Sequence, residues 1–195
     1  MKISYQLILP LVALSTLSCT MIEGETQTSA SFEEGVPGGE VTETTTITAT
    51  VTGIDTEKRK LTFVTPEGNK FSSEAGPEVL NFEHIRVGDQ LKSTLTEEVV
   101  IRMLKPGEKI SDYSTLQAEL TPIGAKPGVK TTESNQVVAT VTDINTRKRK
   151  VRLQFADGKS KRYKVRPDID LSKRSVGEKV LISVTETIAI KLEKP

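Results

Sequence analysis

Ala49-Thr50-Val51-Thr52-Gly53-Ile54-Asp55-Thr56-Glu57-Lys58-Arg59-Lys60 returns ninety residues later as Ala139-Thr140-Val141-Thr142-Asp143-Ile144-Asn145-Thr146-Arg147-Lys148-Arg149-Lys150. The echo extends outward. Gly68 matches Gly158 in a turn and, one residue out of step, Val87-Gly88-Asp89-Gln90-Leu91 matches Val176-Gly177-Glu178-Lys179-Val180. Val100-Ile101 falls near Ala189-Ile190. Internal repeats are read before any fold is assigned, and this one predicts two copies of one small domain, residues 47–104 and 137–195, in a chain of 195 residues. A unit of that size has a marginal but feasible core. With no Trp, five Phe and three Tyr, the core must rest on Val, Ile and Leu.

Within each copy the pattern is that of strands. Ile47, Ala49 and Val51 alternate with Thr48, Thr50 and Thr52, and Val137, Ala139 and Val141 hold the same places in copy two; a period of two marks a half-buried strand. Asp55-Thr56 and Asn145-Thr146 supply a turn. The next strand turns Leu61 and Phe63 inward, or Val151, Leu153 and Phe155. Glu67-Gly68 and Asp157-Gly158 make hairpin turns, glycine supplying the positive φ. A third strand carries Phe71, or Tyr163 and Val165. Pro77–Arg86 and Pro167–Ser175 each suit one helical turn, with Leu80 and Ile85, or Leu171 and Val176, as an end plug. Gln90–Leu104 and Lys179–Leu192 read as two strands each, broken near Glu97 or Glu186. The fold class expected is all-β, with two tandem five-stranded barrels. The order of elements resembles the oligosaccharide/oligonucleotide-binding (OB) barrel, and an SH3-like barrel is the alternative.

What precedes the repeats is a targeting signal and a tether. Residues 1–18 carry Lys2 and then the apolar run Leu7–Leu14, too short to span a bilayer as a helix but suited to a secretory signal. Thr16-Leu17-Ser18-Cys19 resembles a bacterial lipobox, which makes Cys19, the only cysteine, the expected lipidation site. That resemblance implies a lipid anchor in a bacterial cell envelope, and Thr20 after it implies the periplasmic face of the outer membrane. Residues 19–46 hold six Glu and no Lys or Arg and read as a disordered acidic tether. Residues 105–136, with Pro106-Gly107, Pro122, Gly124 and Pro127-Gly128, read as a linker, within which Ser111–Leu120 has the spacing of a short amphipathic helix.

Ala-Thr-Val-Thr-Gly-Ile-Asp at 49–55, Asn81-Phe82 with Ile85, and Val87-Gly88-Asp89 together resemble a group of uncharacterised exported bacterial proteins that carry this unit once or twice behind a signal peptide. The likeness covers about 47–192. It implies a β-barrel and an envelope location, and no reaction. Copy two departs from it where Asn81-Phe82 becomes Asp170-Leu171.

Charge is segregated under a net value of +1. Copy one has 7 basic and 9 acidic residues, whereas copy two has 15 and 7, a local charge of +8. Alternation places Lys148, Lys150 and Arg152 on one strand face and Arg162, Lys164 and Arg166 on the next, a candidate anion-binding surface. The outward set of copy one (Lys58, Lys60, Thr62, Val64) is much weaker. Charged strand faces also serve solubility and edge protection. A nucleic-acid ligand is not expected, because single-strand binders add stacking aromatics and here only Tyr163 and Phe155 are near. Copper-type metal binding needs clustered Met, His or Cys; Cys19, Met21, His84 and Met103 are scattered, so no metal or other cofactor is expected. Nor is catalysis, since no nucleophile elbow, phosphate loop or His-Glu-x-x-His occurs. A Ser72 or Ser73 pairing with His84 has no counterpart in copy two, and Glu97 and Glu98 face opposite sides of a strand. The expected function is that of a non-catalytic binding or scaffold module, engaging peptidoglycan, lipopolysaccharide or an acidic protein through the basic face. The alternative is an accessory module that meets a protein partner through its sheet edges, and a weaker one is a periplasmic metal-binding OB domain.

Overall fold

Ten antiparallel strands make up the computed structural model, which describes residues 24–195 apart from 78, 80 and 123. The signal-like segment and Cys19 lie outside the described residues. In chain order the strands are β1 (Glu25–Ser31), β2 (Gly38–Asp55), β3 (Lys60–Val64), β4 (Lys70–Glu74), β5 (Gln90–Met103), β6 (Tyr113–Leu120), β7 (Gly128–Asn145), β8 (Lys150–Gln154), β9 (Ser160–Lys164) and β10 (Lys179–Glu193). All belong to one sheet, ordered β4-β3-β2-β5-β10-β7-β8-β9, with β1 added beside the first half of β2 and β6 beside the first half of β7. The protein is all-β. Among the described residues its strand order ends at β4 and β9, β1 and β6 are likewise paired on one side, and the sheet does not close, so the pairing forms no closed five-stranded barrel in either repeat.

The two repeats merge through β5 and β10, whose register pairs Glu97 with Glu186, its own counterpart in the other copy. Ser93 then faces Ile190, and Ile182 faces Ile101. Equivalent residues facing each other across one ladder define an internal approximate two-fold, the geometry of a symmetric dimer written into one chain. The long β regions expected to break near Glu97 and Glu186 are therefore continuous strands. Each glutamate sits at the middle of an unbroken ladder, where a break would sever the joint between repeats.

The same symmetry corrects the two segments read as unstructured. Of the tether, residues 25–31 and 38–46 are strand, and of the linker, residues 113–120 and 128–136 are strand. Ser111–Leu120 is not a helix. Its backbone pairs along one edge with β7, from Tyr113–Gln136 to Leu120–Val129. Each repeat thus begins with a hairpin that reaches across the two-fold to the other copy. The β6–β7 loop meets repeat one, where the Asn81 side-chain amide donates to Pro122 O at 2.9 Å and Lys126 Nζ donates to His84 O at 2.7 Å.

Two cores lie on one face of the sheet. Ala49, Val51, Leu61, Phe63, Phe82 and Ile85 are joined by Leu192 from the other repeat. Ala139, Val141, Leu153, Val180 and Ile182 are joined by the partly buried Met103. The inward positions read from alternation at 49, 51, 61, 63, 139, 141 and 153 are all buried. Phe63 and Phe71 stack at 5.0 Å. Single 3-10 turns at Phe82–His84 and Leu171–Lys173 place Phe82, Ile85 and Leu171 at the ends of the cores. Val176, expected as a plug, is instead 63% exposed. It belongs to the turn that presents Gly177 N–H to Val141 O, as Gly88 N–H meets Val51 O. The glycines stand at φ of 97° and 95°, a left-handed conformation that glycine alone adopts without strain.

Candidate functional site

The β8–β9 hairpin carries the predicted basic surface. Its register sets Lys150 opposite Lys164 and Arg152 opposite Arg162, so the four cations share one face while Val151, Leu153 and Tyr163 turn to the second core. None of these four side chains makes an ion pair or a hydrogen bond with another described residue. Like charges directly opposed across strands repel. Asp143 lies beside Arg152 in the β7–β8 register and Asn145 beside Lys150, which leaves a single anion bordering the cluster. The matching face of repeat one sets Lys60 between Asp55 and Glu74, and Thr62 opposite Ser72. The field is thus a property of repeat two alone.

Two members of the predicted set stand elsewhere. Lys148 is in the turn before β8, where its backbone N–H donates to Asn145 Oδ1 at 2.8 Å, with its side chain exposed beside the hairpin face. Arg166 is a correction, because it lies past the end of β9 and its guanidinium is fully engaged. It donates to Gly38 O at 2.6 Å, Glu33 O at 2.9 Å and Val36 O at 3.2 Å, pairs with both oxygens of Asp168, and lies 4.7 Å from the Phe32 ring centroid. The hydrogen bond from Arg166, then that from Gly35 N–H, holds the Asp168 carboxyl far below the usual range. Arg166 therefore clamps the β1–β2 loop of repeat one onto repeat two. Strand alternation could not foresee this, since the acceptors come from about 130 residues away in the chain.

A related pair was missed in the sequence. Arg59 and Arg149, equivalent in the repeat, are the two non-glycine residues with positive φ among the described residues, 50° and 51°. Arg59 donates to Ala75 O, Gly76 O and Val79 O and lies 4.6 Å from the Phe82 ring centroid, and Arg149 donates to Arg166 O and Ile169 O. In both copies an arginine ties the 3-10 segment to the turn before the second strand of the repeat. The Lys-Arg-Lys triplets at 58–60 and 148–150 were the available signal, and the middle residue of each is structural.

Among the described residues no group of three or more His, Cys, Asp or Glu is placed to hold a metal ion. His84 directs Nδ1 to Ala125 O at 3.3 Å, and Nε2 lies 3.7 Å from Glu83. Comparison with protein-family models, with curated proteins and with solved structures finds no match. The site must be read from its own chemistry. That chemistry is a rigid two-stranded platform with two opposed pairs of cations, suited to oxygens of phosphate or carboxylate groups.

Proposed function

We propose that the chain is a non-catalytic cell-envelope lipoprotein, anchored through Cys19, that binds an anionic envelope ligand through the Lys150, Arg152, Arg162 and Lys164 face of its second repeat. The observation that carries this reading is the unneutralised register of that hairpin, set against the near-neutral counterpart in repeat one. A solubilising face needs no such difference between two copies of one unit. Each repeat is a half-open, OB-like curl of sheet, and the two-fold joint makes them one scaffold that would hold the basic face at one end. Peptidoglycan carboxylates and lipopolysaccharide phosphates are the ligand groups that fit, together with acidic protein surfaces. Pairing of a protein partner at the terminal edges of the sheet is less favoured: β9 carries Lys161, Arg162 and Lys164, and β4 carries Lys70 and Glu74, and charged edges resist strand addition.

Co-sedimentation of the lipid-free protein (Thr20–Pro195) with purified sacculi, and separately with lipopolysaccharide vesicles, tests the reading. Binding should fade as salt rises and disappear in the triple reversal Lys150→Glu, Arg152→Glu, Lys164→Glu. Binding to neither material at low salt, or binding that survives the reversal, refutes it.

A further inference from the structure

The two repeats share a fold but not an interior. Repeat one contains an apolar cleft of about 520 Å³, walled by Phe63, Phe71, Ile47, Leu91, Ile190 and Leu192. The corresponding space in repeat two is filled. Ser73, opposite Leu61 on the β3–β4 hairpin, corresponds to Tyr163, opposite Val151. Ser93, opposite Ile190, corresponds to Ile182, opposite Ile101. Tyr163 and Ile182 both pack into the second core, and the Tyr163 hydroxyl is buried with no hydrogen-bond partner in the structure. An unpartnered buried hydroxyl is unfavourable, so the ring serves as filling. The fold therefore does not require the cleft; two serines open it.

The walls specify what enters. The opening leaves Leu120 54% and Ile190 39% exposed. The polar groups on the lining are few: the Ser73 and Ser93 hydroxyls, Asn81 and Thr121, together with Glu74. Asn81 donates to Pro122 O and Thr121 to Gly128 O. A peptide entering such a space would strand its amides without partners, at a cost of about 1–3 kcal/mol each. A hydrocarbon chain would lose nothing, and the volume lies within the usual range of about 300–1,000 Å³ for small-molecule sites. Glu74 turns its side chain to the outward face, opposite Lys60, and so sets no preference for a head group. The described chain also begins beside the cleft: a Cβ on Gly24 would come within 2.9 Å of the Ile47 side chain. With the anchor proposed at Cys19, five residues before Gly24 in the sequence, an anchored molecule would hold this end, and this cleft, near the bilayer.

We infer that the cleft of repeat one binds a single acyl chain of a lipid. The closeness to the bilayer rests on the anchoring proposed above; the cleft chemistry does not. The test uses the lipid-free chain Thr20–Pro195, which carries every described strand and contact, so its failure is separate from any failure of the anchor or of the basic face. The neutral apolar fluorophore N-phenyl-1-naphthylamine is titrated into the protein and then displaced by lysophosphatidylcholine or by palmitate. Saturable uptake is expected, with displacement by both. The double variant Ser73→Tyr, Ser93→Ile copies the filling of repeat two and should lose uptake while unfolding at the same or a higher temperature. Absence of uptake by the native chain, or undiminished uptake by a folded double variant, overturns the inference. A Ser183→Ala control on the opposite face of β10 should bind as the native protein does.

Discussion

Neutralising Glu97 should stabilise the protein. The ladders of β2, β5, β10 and β7 set Glu43 against Glu97, Glu97 against Glu186, and Glu186 against Glu133. Four carboxylates thus cross the middle of the sheet in one row, at the strand spacing of about 4.8 Å, on the face that carries both cores. No described side chain forms an ion pair with any of them. Directly opposed like charges cost about 0.2–1 kcal/mol per pair. Glu97→Gln or Glu186→Gln removes two such pairs, for a gain of about 0.5–2 kcal/mol, and Glu43→Gln or Glu133→Gln removes one, for about half that. The double variant Glu97→Gln, Glu186→Gln removes three pairs and not four, because the central pair is shared, so its gain should fall short of the sum. For a chain of this size, 1 kcal/mol shifts Tm by about 2–4 °C. Urea and thermal unfolding at low and at high salt read the effect, and the gain should shrink as salt screens the row. A central substitution that leaves Tm unchanged or lowers it at low salt would refute the reasoning, as would equal effects at central and flanking positions.

Two further outcomes follow from buried polar contacts. Burial pushes the Asp89 carboxyl up, but hydrogen bonds from the Lys126 ammonium and the Arg86 backbone N–H lower it further, and the net position is below the ordinary value. A depressed carboxyl contributes stability above its unfolded pKa, near 4, and loses it as pH falls through the folded value. Native protein should therefore lose stability below about pH 4 more steeply than Asp89→Asn, which at neutral pH should itself be weaker by about 3 kcal/mol in urea unfolding. Arg59→Ala removes three carbonyl hydrogen bonds and the contact with Phe82 and should cost about 1–3 kcal/mol. Arg59→Gly should be milder by about 1 kcal/mol, since glycine accepts the φ of 50° without the penalty for a side chain; equal losses would show that the conformation carries no strain.

The strands that lie wholly within one repeat were legible in the chain. Leu61 and Phe63 turn inward and Gly68 and Gly158 turn with positive φ because alternation and turn chemistry are local, set by a residue and its near neighbours. The opening hairpins were not read, although Pro37-Gly38 and Pro127-Gly128 stand ninety residues apart, as do Thr42-Glu43-Thr44 and Thr132-Glu133-Ser134. Their strands bury little, every residue of β1 and β6 being exposed, so composition resembled that of a tether, and long-range hydrogen bonding decides their state. For the basic face, alternation correctly grouped Lys150, Arg152, Arg162 and Lys164 but could not tell that Arg166 faces a loop from the other repeat.

By itself, then, the sequence determined that this is a duplicated β protein with two small cores and a strongly basic second copy, because periodicity, repetition and charge are properties of the chain. The tertiary structure decided everything that depends on which strand lies beside which. It joined the repeats about a two-fold at Glu97 and Glu186, aligned four glutamates into a row, and left a cleft where Ser73 and Ser93 stand in place of Tyr163 and Ile182. Each of these arises from strand register between distant segments, and register is set by the energy of the whole sheet.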